Sequence, residues 1–175
     1  MTGTQIKALA ESHIDDDTID DGDALLWLNE CQAEDLGSEA RVLDSEDIVV
    51  TDTAAWYALP ADLLVITEVE KGGEEYTGSY RLRGQKIRFS ETGTFTVWYY
   101  RLPAEIVALT EAPEAHILLH RPMALFLASR FKSKDDDENQ DAARLMGEYR
   151  QKKEHALWQI DNQQQDGSDT VKVVW

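Results

Sequence analysis

The apolar residues of this chain change period twice, and no other feature restricts its fold as much. From Ile6 to Leu36 they recur at every third or fourth position, as along one side of an α-helix. From Ile48 to Tyr100 they come as short runs rich in β-branched and aromatic residues, the mark of strands. Beyond Pro103 the helical spacing returns. Helices and strands written in blocks, not in alternation, predict an α+β fold: a helical hairpin and an N-terminal helix packed with a small antiparallel β-meander, followed by a flexible C-terminal tail.

The elements can be placed from their punctuation. Thr4–Ser12 predicts a short helix with Ile6 and Leu9 on its apolar side. Asp20 to Asp23 supply an N-cap and first-turn acids for a second helix, over 23–37, with Leu25, Leu28 and Cys31 or Gln32 at helical spacing; Trp27 and Leu36 widen that face, and Gly37 ends it. Ile48–Thr51, Trp56–Leu59, Leu63–Val69, Tyr80–Leu82, Lys86–Ser90 and Thr94–Tyr100 read as strands. Turns at Arg83-Gly84-Gln85-Lys86 and Glu91-Thr92-Gly93-Thr94 make them a meander of about four or five strands within 46–103. Glu114–Phe131 and Asn139–Gln159 predict a helical hairpin over 113–160, joined at the acidic run Asp135–Glu138, with Pro122 kinking or restarting its first helix. The expected organisation is one domain, 1–160, and a polar, unpatterned tail, 161–175.

Charge decides which function classes remain. Thirty-four acids against seventeen bases leave a formal net charge of −17 over 175 residues. That balance argues against non-specific binding to nucleic acid, which needs Lys and Arg to displace counterions from phosphates. The charge is also segregated. Glu11 to Asp52 hold fifteen acids and one base, Arg41, whereas Arg81 to Arg101 hold five bases and one acid, Glu91. A molecule with an acidic and a basic region can pair head-to-tail with copies of itself, unless the two regions meet within one copy. No run of eighteen apolar residues offers a membrane span, and the first residues show no basic-then-apolar secretory signal. The single cysteine, Cys31, has no partner for an internal disulfide, which fits an intracellular origin.

The motifs that carry catalysis or metals fail on inspection. A calcium loop begun at Asp17 would put Ile19 at its third position and Leu28 where a bidentate Glu belongs, so Asp15–Asp23 read as capping and solvated acids. His116 and His120 are four apart, but Ile117 stands where a zinc-protease helix needs Glu; packing or capping is the better role. Cys31 reads as a buried small residue, and Lys71-Gly72-Gly73-Glu74 is too short and too acidic for a phosphate loop. No enzyme and no cofactor are expected. Val171-Lys172-Val173-Val174-Trp175 is different: an apolar terminus behind a polar spacer can add a strand to a partner's sheet edge, or fold back on its own sheet.

Several phrases carry a family resemblance. Trp56-Tyr57-Ala58-Leu59-Pro60-Ala61-Asp62-Leu63-Leu64 resembles the step that opens the sheet of phage head–tail adaptor proteins. Thr94-Phe95-Thr96-Val97-Trp98-Tyr99-Tyr100-Arg101-Leu102-Pro103 resembles the exit strand of that sheet. Ala112-Pro113 through His120, Ala124 and Ala128 is similar to the helix that follows, and Ala142–Tyr149 to the packed return helix. The family includes podovirus tail tubular protein A and the neck adaptors of long-tailed phages; the resemblance spans roughly Asp23 to Gln159, and the acidic first third departs from it.

Membership would imply a virion protein, made in the host cytoplasm, that forms a ring, usually of twelve copies, under the portal protein. It would extend the DNA channel and present a platform to the tail or the next neck protein, while genomic DNA passes through without specific binding. In several such adaptors the C-terminal segment reaches into the portal, the role this implies for Val171, Lys172, Val173, Val174 and Trp175. On charge, Asp15, Asp16, Asp17, Asp20 and Asp21 are the expected channel-facing acids, repelling phosphates, and Arg81, Arg83, Lys86 and Arg88 the expected subunit or partner interface. The competing functions are an acidic DNA-mimic inhibitor and another tail or baseplate completion protein.

Overall fold

A computed structural model describes residues 1–15, 17–134 and 139–166, the side chains of 139 and 163–166 excepted. It is an α+β fold, as the two changes of period predict. The chain divides into two compact units: Met1–Ala40 with the residues from Pro103 on, and Arg41–Leu102. The strands are thus an insertion in a helical unit.

In the helical unit, α1 (Gly3–Glu11) begins in a capping box, Thr2 accepting from the Gln5 amide while the Gln5 side chain accepts from the Thr2 amide. α2 (Asp21–Glu30) is capped by Asp20, whose carboxylate accepts from the Gly22 amide at 2.8 Å. It runs on as a π-helical turn, Cys31–Leu36, to Gly37, whose φ of +48° suits a residue without Cβ. Cys31, Gln32 and Leu36 of this turn are buried and continue the inward face of Trp27 and Leu28.

The segment from Pro103 to His116 is not helical. Side chains of α2 hold its backbone: Asn29 exchanges two 3.0 Å hydrogen bonds with Ile106, and the Gln32 amide donates to the Ala104 carbonyl at 2.7 Å. At Gly3 a Cβ would lie 3.0 Å from the Leu109 carbonyl oxygen, so the close approach of this segment to α1 favours glycine. The helix expected from Glu114 starts instead at His120, after a short 3₁₀ turn, Ile117–Leu119. Pro122 thereby falls in the first turn of α3 (His120–Lys132), where its missing N–H costs nothing. Pro122 to Ser129 are buried without a break, which makes α3 the central helix, packed on α1, α2 and α4 (Asn139–Asp166). Phe126 meets Tyr149 edge-on at 5.5 Å between centroids, and α3 and α4 form the expected hairpin. α4 continues to Asp166, past the tail boundary expected at 161.

The expected meander resolves into seven strands in two antiparallel sheets: β1 (Leu43–Val50), β7 (Gly93–Arg101), β3 (Leu63–Lys71) and β4 (Glu74–Glu75) side by side in one, and β2 (Tyr57–Ala58), β6 (Lys86–Phe89) and β5 (Tyr80–Leu82) in the other. The division arises at Phe89 and Phe95. Their rings stack at 4.0 Å, which folds β6 over the inner face of β7 in place of pairing with it. Ile48, Val50, Val69, Phe95 and Val97 of the larger sheet close on Leu59, Ile87 and Phe89 of the smaller one. Burial of Ile87 and Phe89 contributes about 1.5–3 kcal/mol each, against about 0.5–1.5 for a ladder hydrogen bond, so the inner face holds the small sheet in place. β1 begins five residues earlier than its apolar pattern does. Asp44, Glu46 and Asp47 break the alternation, and an edge strand paired only with β7 tolerates them.

Candidate assembly surface

The two-residue period of a strand sorts the β5–β6 hairpin into an apolar and a charged side. Ile87 and Phe89 are packed on the inner side, and register puts their exposed partners Leu82 and Tyr80 on that same side. Arg81 and Arg88 are direct cross-strand partners on the outer side, and Arg83 and Lys86 close the turn there, the Arg83 amide donating to the Lys86 carbonyl at 2.9 Å. All four bases expected at an interface therefore share one face. The Arg88 guanidinium lies 5.0 Å from the centre of the Trp56 ring, which steadies it by a cation–π contact. Around Arg81 and Arg88 is a shallow depression of about 300 Å³ with the hydroxyls of Thr53, Ser79 and Ser90 on its walls. Among the described residues none of the four bases has an ion pair, and Arg81 directly opposite Arg88 is a repulsive arrangement.

The acids of the first third behave differently. Asp20 is the cap of α2. Asp21 binds Lys7 at 2.5 Å, Asp17 lies 3.6 Å from Lys132, Asp23 is 2.5 Å from Lys134, and Glu30 is 2.7 Å from Arg130. The Asp21 hydrogen bond, opposed by burial and helped by Glu11, holds the Lys7 pKa above its ordinary value. Of the five acids expected to face a channel, Asp17, Asp20 and Asp21 thus also serve the helical unit itself. Asp15 is exposed, with a φ of +58°. Asp16 and the expected anchor, Val171, Lys172, Val173, Val174 and Trp175, lie outside the described residues.

One polar cluster gathers around the buried Tyr149. The Tyr149 hydroxyl donates to the Asp35 carboxylate, and Lys153 reaches Asp35 at 3.3 Å and Glu39 at 3.1 Å. Burial pushes the Tyr149 hydroxyl well above its ordinary pKa, with Cys31 and Asp35 adding to it. Burial pushes the Cys31 thiol up to about 12, so it is a packing residue in an unreactive state. His116 caps the 3₁₀ turn by accepting from the Leu118 amide, and the ring of His120 packs inside with Nε2 2.8 Å from the Ala115 carbonyl. Among the described residues no three His, Cys, Asp or Glu side chains converge as metal ligands would. The cluster joins the π-helical turn to α4, which gives it a structural role. No family model matches this chain, and no curated protein matches it.

Sequence reasoning passed over a second charged hairpin. Lys71-Gly72-Gly73-Glu74, set aside above as a phosphate loop, is the turn between β3 and β4, with Gly72 and Gly73 at φ of +65° and +84°. It sets Glu70 directly opposite Glu75. The signal was the Glu-Val-Glu alternation of 68–70, legible once Val69 is known to point inward.

Proposed function

We propose that this chain is a head–tail adaptor of a tailed phage, a structural virion subunit that assembles as a ring under the portal protein. The ring extends the DNA channel and joins the tail or the next neck protein. One observation carries the reading: a chain of net charge −17 gathers four bases on one face of an exposed hairpin and leaves all four without a carboxylate among its described residues. Such a face is costly in an isolated monomer and is offset by anionic groups of a neighbour.

The positions of the resembling segments support it. Trp56–Leu64 spans β2 and the entry into β3, and Thr94–Pro103 covers the central strand β7 and the return to the helical unit. In this reading Asp15, Asp16, Asp17, Asp20 and Asp21 belong to the DNA-facing side. Lys7 and Lys132 lower their field without reversing it, and DNA passes unbound. Val171 to Trp175 enter the portal. The test is negative-stain microscopy of the purified protein with and without its portal. Rings seated on the portal are expected; a protein that never binds portal sinks the proposal.

A further inference from the structure

The outer faces of the two sheets carry opposite charge. On the larger sheet, Asp47 pairs across to Thr96, Thr96 to Glu70 and Glu70 to Glu75, so three carboxylates share one cross-strand row. Glu68 stands two positions along β3 on the same face, opposite Trp98. Asp47, Glu68 and Glu75 are exposed and Glu70 half-buried. Burial, with Glu70 and Glu75 beside it, holds the Glu68 carboxyl above the usual range, a sign that this face is crowded with like charge. Among the described residues, none of the four has an ion pair; Asp47 only accepts a hydrogen bond from Thr96.

The inner faces of the two sheets are packed against each other through Phe89 and Phe95. Their outer faces therefore point in opposite directions, the four carboxylates on one side of the β unit and Arg81, Arg83, Lys86 and Arg88 on the other. They cannot neutralise one another within one copy. Both sets sit on the same lattice, about 5 Å across strands and about 7 Å between same-face neighbours along a strand. The faces match in sign and number.

We propose that the β unit self-associates head-to-tail, the face of Asp47, Glu68, Glu70 and Glu75 in one copy docking on the face of Arg81, Arg83, Lys86 and Arg88 in the next. Opposite placement of two complementary faces is heterologous, so each copy added presents the same acidic and basic faces again, and the series closes into a ring or runs on as a filament. The inference rests on the adaptor reading only in taking the partner to be a second copy. It changes which acids meet the basic hairpin: those of β1, β3 and β4, not those of the first third, which the helical unit already engages.

The test is sedimentation velocity on the full chain and four variants between 10 mM and 1 M salt, over which the screening length falls from about 30 to about 3 Å. The wild type is expected to associate at low salt and dissociate at high salt. R81E/R88E, which leaves the basic face without net charge, and E70K/E75K, which does the same to the acidic face, should each lose self-association about tenfold or more. A mixture of these two should associate, and the chain carrying all four reversals should regain it. R81Q/R88Q, with folding checked by circular dichroism, separates lost docking from lost structure. A wild type that stays monomeric at low salt, reversals that associate as the wild type does, or a folded quadruple variant that does not recover overturns the proposal. So does retention of duplex DNA by the basic face without self-association. Self-association without affinity for portal would keep this inference and remove the adaptor reading; portal binding by variants that associate unchanged would do the reverse.

Discussion

The helical unit and the β unit treat charge in opposite ways. In the helical unit the ion pairs set opposite charges together: Lys7 with Asp21, Lys132 with Asp17, Lys134 with Asp23, Arg130 with Glu30, Lys153 with Asp35 and Glu39. In the β unit Lys71 meets Glu91 and Arg101 meets Asp44, but Glu70 faces Glu75 and Arg81 faces Arg88. Bases that each reach an acid of the same unit help to tie its elements together. A region that sets like against like is held together by its apolar core and keeps its charged faces for something else.

The comparison breaks first if the units do not have separate cores. Phe95→Ala removes the ring stacked on Phe89 and edge-on to Tyr76, and should cost about 3–5 kcal/mol in urea unfolding. Hydrogen exchange in that variant should rise through 43–101 while α3 and α4 stay protected; equal loss in both would show one cooperative core. Next, Tyr149→Phe deletes the donor to Asp35 and should cost about 1.5–3 kcal/mol, with protection lost around 31–36 and 145–157.

Acid should weaken the helical unit selectively. Burial, only partly offset by the Ala115 carbonyl, holds the His120 pKa below its ordinary value, so below about pH 6.5 the unfolded chain binds a proton that the folded one resists. Stability is then lost as pH falls through that window. The urea midpoint at pH 5.5 should lie below that at pH 7.5, and His120→Gln should flatten the difference. The smallest effect sharpens the contrast most. Lys7→Ala should lower the melting temperature, by up to about 1 kcal/mol in stability. Arg81→Thr, measured at high dilution, should leave it unchanged or raise it by roughly 0.5 kcal/mol, because it relieves repulsion from Arg88.

Much of this was legible in sequence because local rules govern it. Asp20 caps α2, Gly37 ends its last turn, and Tyr80–Leu82 pairs with Lys86–Phe89 through its turn. What was not legible depends on distant partners. The stacking of Phe89 on Phe95, which splits one meander into two sheets, pairs residues whose strands do not pair. The non-helical course of 103–116 depends on Asn29 and Gln32 offering side-chain hydrogen bonds from α2. The basic face was visible as four residues of alternating spacing. Its acidic counterpart was hidden in a chain where carboxylates are everywhere, until strand register showed which of them share a face.

The insertion of the β unit sets an order of events during synthesis. α1 and α2 leave the ribosome before the β unit, but α3, which packs on both, does not follow until His120. The β unit is complete at Leu102, and the Arg101 amide bonds the Val42 carbonyl at 3.0 Å, so its two ends are fastened together. Once folded, it turns the 62 residues from Arg41 to Leu102 from a slack tether into a clip. That removes a loop-closure cost of about 3–4 kcal/mol from the later docking of α3. The helices translated after the β unit meet their partners already gathered, and a slow-folding β unit would leave two greasy helices waiting on an open chain.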